Sequence, residues 1–205
     1  MHIAAVSQGH GSEDVSGIVR AYLPGAPNLV REAASNDSID ETLTPSTSPM
    51  EISKIGMIGL GAMGQGMAAS LLRAGFAVQG YDVCAPAIDK FLANGGKSSG
   101  AVSASEAVRD AQVVVLMVQN ASQADDILFG AGESVDCLAD GAIIILSSTV
   151  PPAFVRELNN KLRSLRKGIT LVDAPVSGGV ARAANGTLTV SYTSFHHLSL
   201  PINVE

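Results

Sequence analysis

The 205-residue chain has no tryptophan, only 4% aromatic residues, two cysteines, and 16% charged residues with thirteen Lys and Arg against nineteen Asp and Glu. Too few cations, with no basic stripe and few aromatic faces, leave a nucleic acid nothing to hold, so no nucleic-acid partner is expected. Cys84 and Cys137 lack metal-ligand spacing and do not make a disulfide framework; free, buried thiols in a reducing compartment are the expectation, and no metal site. No apolar run is long enough to cross a bilayer. The start, MHIAAVSQGHGSEDV, lacks the basic and apolar regions of a signal peptide, so no membrane partner and a cytoplasmic location are expected.

What is abundant is apolar material, 46% of the chain, enough for one domain with a good core. Charge is uneven: residues 1–53 carry seven acids against two arginines, and the remainder is nearly neutral. Residues 33–53 are rich in Ser, Thr, Asp, Glu and Pro without an aromatic residue, which predicts a disordered linker. Before it, residues 1–32 form a short leader in which Asp14 to Leu23 fits one helix that has no core of its own.

From Lys54 short apolar runs alternate with helical patterns, the pattern of βαβ units and a mostly parallel, doubly wound sheet of Rossmann type over residues 54–192. Strands are expected at 54–59, 77–83, 112–118, 142–146, 169–173 and 187–192. The run QVVVLMV, apolar without alternation, fits a strand buried on both faces. Helices are expected at about 62–74, 86–93, 104–109 and 122–129. Another starts after Thr149, with Thr149 as cap, Pro151 and Pro152 in the first turn, and Gly168 as the stop behind a basic end of Lys161, Arg163, Arg166 and Lys167.

Gly59-Leu60-Gly61-Ala62-Met63-Gly64 has the spacing GxGxxG, follows a strand, opens a helix, and precedes a second strand ending in Tyr81 and Asp82. In that context Gly59 permits a tight turn, Gly61 a close approach of pyrophosphate, and Gly64 close packing of helix on strand. The helix N-terminus offers free N–H groups to the anion. Asp82 would accept from an adenosine ribose and repel a 2′-phosphate, which favours NAD over NADP. The competing readings are a glycine turn that only packs and a solvated acid at a strand end.

Together GLGAMGQGMAASLLRAGFAVQGYDV, LMVQNASQADDILFG, LSSTVPP and DAPVSGG resemble the 3-hydroxyacid dehydrogenase family, of 3-hydroxyisobutyrate or L-threonate type, over about residues 54–190. The resemblance implies a small 3-hydroxy acid substrate, a homo-oligomeric full-length form, substrate carboxylate contacts at Ser177, Gly178 and Gly179, and contacts near the nicotinamide from Met117, Val118, Gln119 and Thr149. It also implies a proton-shuttling lysine on a later helix, but this chain has no lysine after Lys167, and no catalytic residue is assigned. His196 and His197 read as exposed residues of the terminus. A 6-phosphogluconate-type substrate would need more cations than Arg182 supplies near that loop. Residues 193–205 match nothing in the family and are expected to be an unstructured tail of a truncated product. Residues 5–23 resemble the family's closing segment, as if a preceding copy ended there. The alternative is an NAD-binding module without independent catalysis.

Overall fold

The computed structural model describes Val19, residues 52–130 and 134–191, and Thr193 and Ser194. Most of the leader, linker and tail assigned above lies outside these residues. Val19 is helical and wholly buried against the core around the first strand, and Ile52 packs on the same cluster.

In chain order the elements are β1 (Ile55–Ile58), α1 (Ala62–Arg73), β2 (Val78–Tyr81), α2 (Ala85–Leu92), β3 (Ser98–Gly100), α3 (Ala104–Val108), β4 (Val113–Leu116) and α4 (Ala121–Phe129). After a 3₁₀ turn at Ser134–Cys137 come β5 (Ile143–Leu146), α5 (Pro152–Leu165), β6 (Thr170–Asp173), β7 (Val176–Ser177), α6 (Gly179–Asn185), β8 (Thr189–Val190) and β9 (Thr193–Ser194). The main sheet runs β3-β2-β1-β4-β5-β6-β9; its first six strands are parallel and β9 is antiparallel. Strand order reverses between β1 and β4, where a ligand crevice opens in such sheets.

Both faces of the sheet are covered, which explains why the central strands are apolar without alternation. Val114, Leu116, Ile144, Leu146 and Leu171 join Ala107, Leu128, Leu158 and Leu162 on one side. Met57, Val113, Val115, Ile145 and Val172 join Met67, Leu71, Phe91 and Ala183 on the other. Burying a Leu or Ile side chain contributes roughly 1.5–3 kcal/mol, so these two layers supply most of the stabilisation.

Five local expectations need correction. Thr149 is not the cap of α5: Pro151 occupies that position in extended geometry without a side-chain cap, and Pro152 is the first helical residue. A residue before proline is driven out of the helical region, so Val150 and Pro151 cannot join the helix. Gly168 is not the stop either, because the chain leaves the helix at Arg166, whose guanidinium reaches the carbonyls of Val135, Asp136 and Leu138 around the 3₁₀ turn. The segment 187–192 is not a strand of the main sheet: Thr189–Val190 pairs with Val176–Ser177 in a separate ribbon. Pro175 has no N–H to continue the β6 ladder, so the chain leaves the sheet there. Thr193 and Ser194, expected in the tail, instead pair with Asp173 and Val172. Finally, Cys84 is exposed and Cys137 half-buried rather than both buried; both are free.

Candidate functional site

Parallel register assembles the site. Ile58 pairs with Tyr81 and Leu116, Leu116 with Leu146, and Leu146 with Asp173. The next residues, Gly59, Asp82, Met117, Ser147 and Ala174, therefore leave the sheet side by side along its C-terminal edge. All the expected cofactor contacts lie on this edge.

The three loop glycines have different reasons to be glycine. At Gly59 φ is +90°, and a Cβ would fall on the carbonyl oxygen of Met117; at Gly64 it would fall on the carbonyl oxygen of Gly59. Gly59 is closed by the backbone leaving the neighbouring strand β4, and Gly64 by the packing of α1 on the end of β1. Gly61 has an ordinary φ of −64°, and a Cβ there would meet nothing within 4 Å. The fold does not require glycine at 61. The open space above it is the cradle that a pyrophosphate would enter, next to the N-terminus of α1.

Asp82 does more than the sequence reading anticipated. Leu60 N–H donates to its Oδ2 at 2.7 Å and Cys84 N–H to its Oδ1 at 2.8 Å. The carboxylate thus ties the glycine loop to the β2 exit. An ionised carboxylate has about four acceptor positions, so each oxygen can still accept from a ribose hydroxyl. Beyond it opens a cleft of about 490 Å³ lined by Tyr81, Asp82, Val83, Ile88, Asp89 and Val102 among others. Val83 and Val102 are both 92% exposed on this cleft, although apolar side chains are normally covered. Sequence reading missed this feature because β3, too short and polar to read as a strand, brings Val102 into place.

On the other side of the crevice, Ser148 is buried and its Oγ accepts from Val118 N–H at 2.9 Å, fixing the β4 exit to β5. Val118 therefore keeps only its side chain and carbonyl for a ligand. Gln119 N–H donates to Gln123 Oε1, while Gln123 N–H donates to Asn120, the cap of α4. Met117 and Val118 are half-buried; Gln119 and Thr149 are exposed. Ser177, Gly178 and Gly179 are exposed where the ribbon turns into α6. That short helix, where no element is expected from the sequence, is held against α1: Gly66 leaves no room for a Cβ beside Ala183, and Arg73 donates to Ala184 O at 2.9 Å. Asp173 is half-buried at the end of β6, and burial raises its carboxyl pKa above the ordinary 3.8.

Among the described residues no group of three or more His, Cys, Asp or Glu could hold a metal ion, and no helix is long and apolar enough to cross a membrane.

Strand order, glycine loop and acidic β2 exit together define a Rossmann-type dinucleotide-binding domain. Residues 54–194 match the family described as the NAD binding domain of 6-phosphogluconate dehydrogenase, and the chain belongs to that family. An L-threonate dehydrogenase of Cupriavidus necator is 43% identical over 136 residues, 66% of this chain and 44% of that enzyme. The crystal structure of a 3-hydroxyisobutyrate dehydrogenase from Salmonella typhimurium superposes with a TM-score of 0.62 at 36% identity, over 68% of this chain and 47% of that one. A Mycobacterium tuberculosis 3-hydroxyisobutyrate dehydrogenase with L-serine gives 0.62 at 32% identity, over 69% and 46%. The chain thus spans less than half the length of these relatives and carries their NAD(P)-binding part.

Proposed function

We propose that the chain binds NAD in preference to NADP and serves as the cofactor-binding part of a dehydrogenase acting on a small 3-hydroxy acid. The observation that carries the reading is Gly61: glycine stands where neither backbone nor packing asks for it, and the space beside it is open. When bound, the nicotinamide supplies hydride chemistry. The chain's own residues hold and orient the two reactants. In this reading the loop 59–64 takes the pyrophosphate, Asp82 with Tyr81 the adenosine ribose, and Val83 and Val102 the two faces of adenine. Met117, Val118, Gln119 and Thr149 border the nicotinamide, and Ser177, Gly178 and Gly179 take the acid's carboxylate. The relatives' names motivate the substrate class.

Preference for NAD follows from charge. The cleft beyond β2 is lined by two carboxylates, Asp82 and Asp89, and by no cation among the described residues. A 2′-phosphate there meets like charge, which disfavours it, and Asp82 supplies the hydrogen-bond acceptors that a free 2′-hydroxyl needs. Because the chain has no tryptophan, bound NADH and NADPH can be titrated by their own fluorescence. Wild type is expected to bind NADH at least about tenfold more tightly than NADPH, a difference of about 1.4 kcal/mol. Asp82→Ala is expected to weaken NADH binding and bring the two affinities close together. Equal affinities in wild type, or an unchanged ratio in the variant, would contradict the ribose assignment.

A further inference from the structure

Arg182 sits one helical turn beyond Gly178, and its side chain runs back along α6 toward that glycine. A Cβ built on Gly178 would lie 2.6 Å from Arg182 Cδ, 3.1 Å from its Cβ and 3.4 Å from its Cγ. This is the direction a helical side chain takes, toward the N-terminal turn. The stem covers Gly178 as far as Cδ, so the guanidinium that Cδ carries starts from the Gly178 end of α6. Gly178 adopts φ +129°, which an L side chain rarely takes, so nothing of its own competes for the surface that Arg182 occupies. The Arg182 side chain is exposed and makes no hydrogen bond or ion pair with another described residue; its backbone carbonyl is engaged by Thr187 N–H. Its neighbour across the helix pair differs in that respect: the Arg73 guanidinium donates to Ser70 Oγ and Ala184 O.

A carboxylate at residues 177–179 would find one hydroxyl and backbone N–H groups, all neutral donors. A guanidinium supplies the missing charge and two parallel donors that match the spacing of carboxylate oxygens. We propose that Arg182 reads the substrate's carboxylate, pairing with it beside Ser177, so that the site selects small hydroxy acids over their amides and esters. The proposal rests on the reading of residues 177–179 as the substrate loop, and it names the residue that turns a polar loop into an acid-specific one.

The test titrates L-threonate and L-threonamide calorimetrically into the full chain saturated with NADH. Wild type is expected to prefer the acid. Arg182→Gln should raise the Kd for L-threonate about tenfold, leave L-threonamide and NADH within about twofold, and Arg182→Lys should recover part of the loss, since an ammonium keeps charge without the fork. Failure of wild type to distinguish acid from amide overturns the proposal, as does equal weakening of both ligands in Arg182→Gln. If Arg182→Gln leaves L-threonate binding unchanged while Ser177→Ala weakens it, the loop assignment stands and the role of Arg182 falls. If neither substitution matters, both fall, and unaltered NADH binding shows that the dinucleotide site does not fall with them.

Discussion

At the N-terminal edge of the sheet, long polar side chains are spent on backbone; at the C-terminal edge, many are left open. Lys54, just ahead of β1, donates through Nζ to Arg109 O at 2.6 Å, at the end of α3. Gln112, just ahead of β4, accepts from Lys54 N–H and donates to Ser53 Oγ. Arg166, ahead of β6, ties down the 3₁₀ turn. At the opposite edge Thr149, Gln119, Ser177 and Arg182 face solvent, and two valines stand exposed around a cleft. Asp82 is intermediate, holding its own loop with half of its acceptor capacity. The difference between the two edges is what the binding site proposed at the C-terminal edge requires.

The strongest way to break this comparison is Gly61→Val. Its added side chain enters open space, so the folded state should keep its stability within about 0.5 kcal/mol, the usual range for a surface change. The same side chain fills the proposed pyrophosphate cradle, and NADH affinity should fall about a hundredfold, or about 2.7 kcal/mol. Fluorescence titration and urea melts on the same preparation separate the two effects. Full NADH affinity in a folded Gly61→Val protein would reduce the glycine loop to a packing device.

Much of this edge was legible in the sequence because its rules are local. GxGxxG after a strand and an acid at the next strand end are each set by a few adjacent residues. The parts that were not legible depend on contacts distant in sequence. Ser98–Gly100 has no apolar alternation and is a strand only because β2 lies beside it. The ribbon joining Val176–Ser177 to Thr189–Val190 needs Pro175 to end the β6 ladder, and α6 is stable only where Gly66 lets it come close. Thr149 was misplaced for a local reason: the two prolines that suit a first helical turn also hold the preceding residues extended.

At the N-terminal edge the expected effect is on stability alone. Arg166→Ala removes donors from the carbonyls of Val135, Asp136 and Leu138, at 3.4, 3.3 and 3.2 Å. The ion pair to Asp140 adds little, because that carboxylate is in open solvent. Long hydrogen bonds from a partly buried cation suggest a loss of about 1–2 kcal/mol in urea denaturation. NADH affinity should stay within about twofold of wild type. A large loss of cofactor binding would mean that the two edges are coupled through β5 and are not separable as described.

The smallest effect expected is at Asp173, the acid on the C-terminal edge whose carboxyl is raised by burial with no compensating partner as its cause. The folded protein holds this proton more tightly than the unfolded chain does. Its contribution is therefore most favourable below the ordinary pKa of 3.8 and is lost as pH rises through the higher folded-state value. At pH 7 the ionised carboxylate is held at a net cost. Asp173→Asn keeps the shape and removes the charge, so it should stabilise the protein at pH 7 by less than about 1 kcal/mol and give no gain near pH 3.5. Urea melts at the two pH values measure the difference. Destabilisation at pH 7 would mean that the carboxylate has a favourable partner and that the charge is supported. A gain confined to neutral pH would show the site edge carrying an unoffset charge.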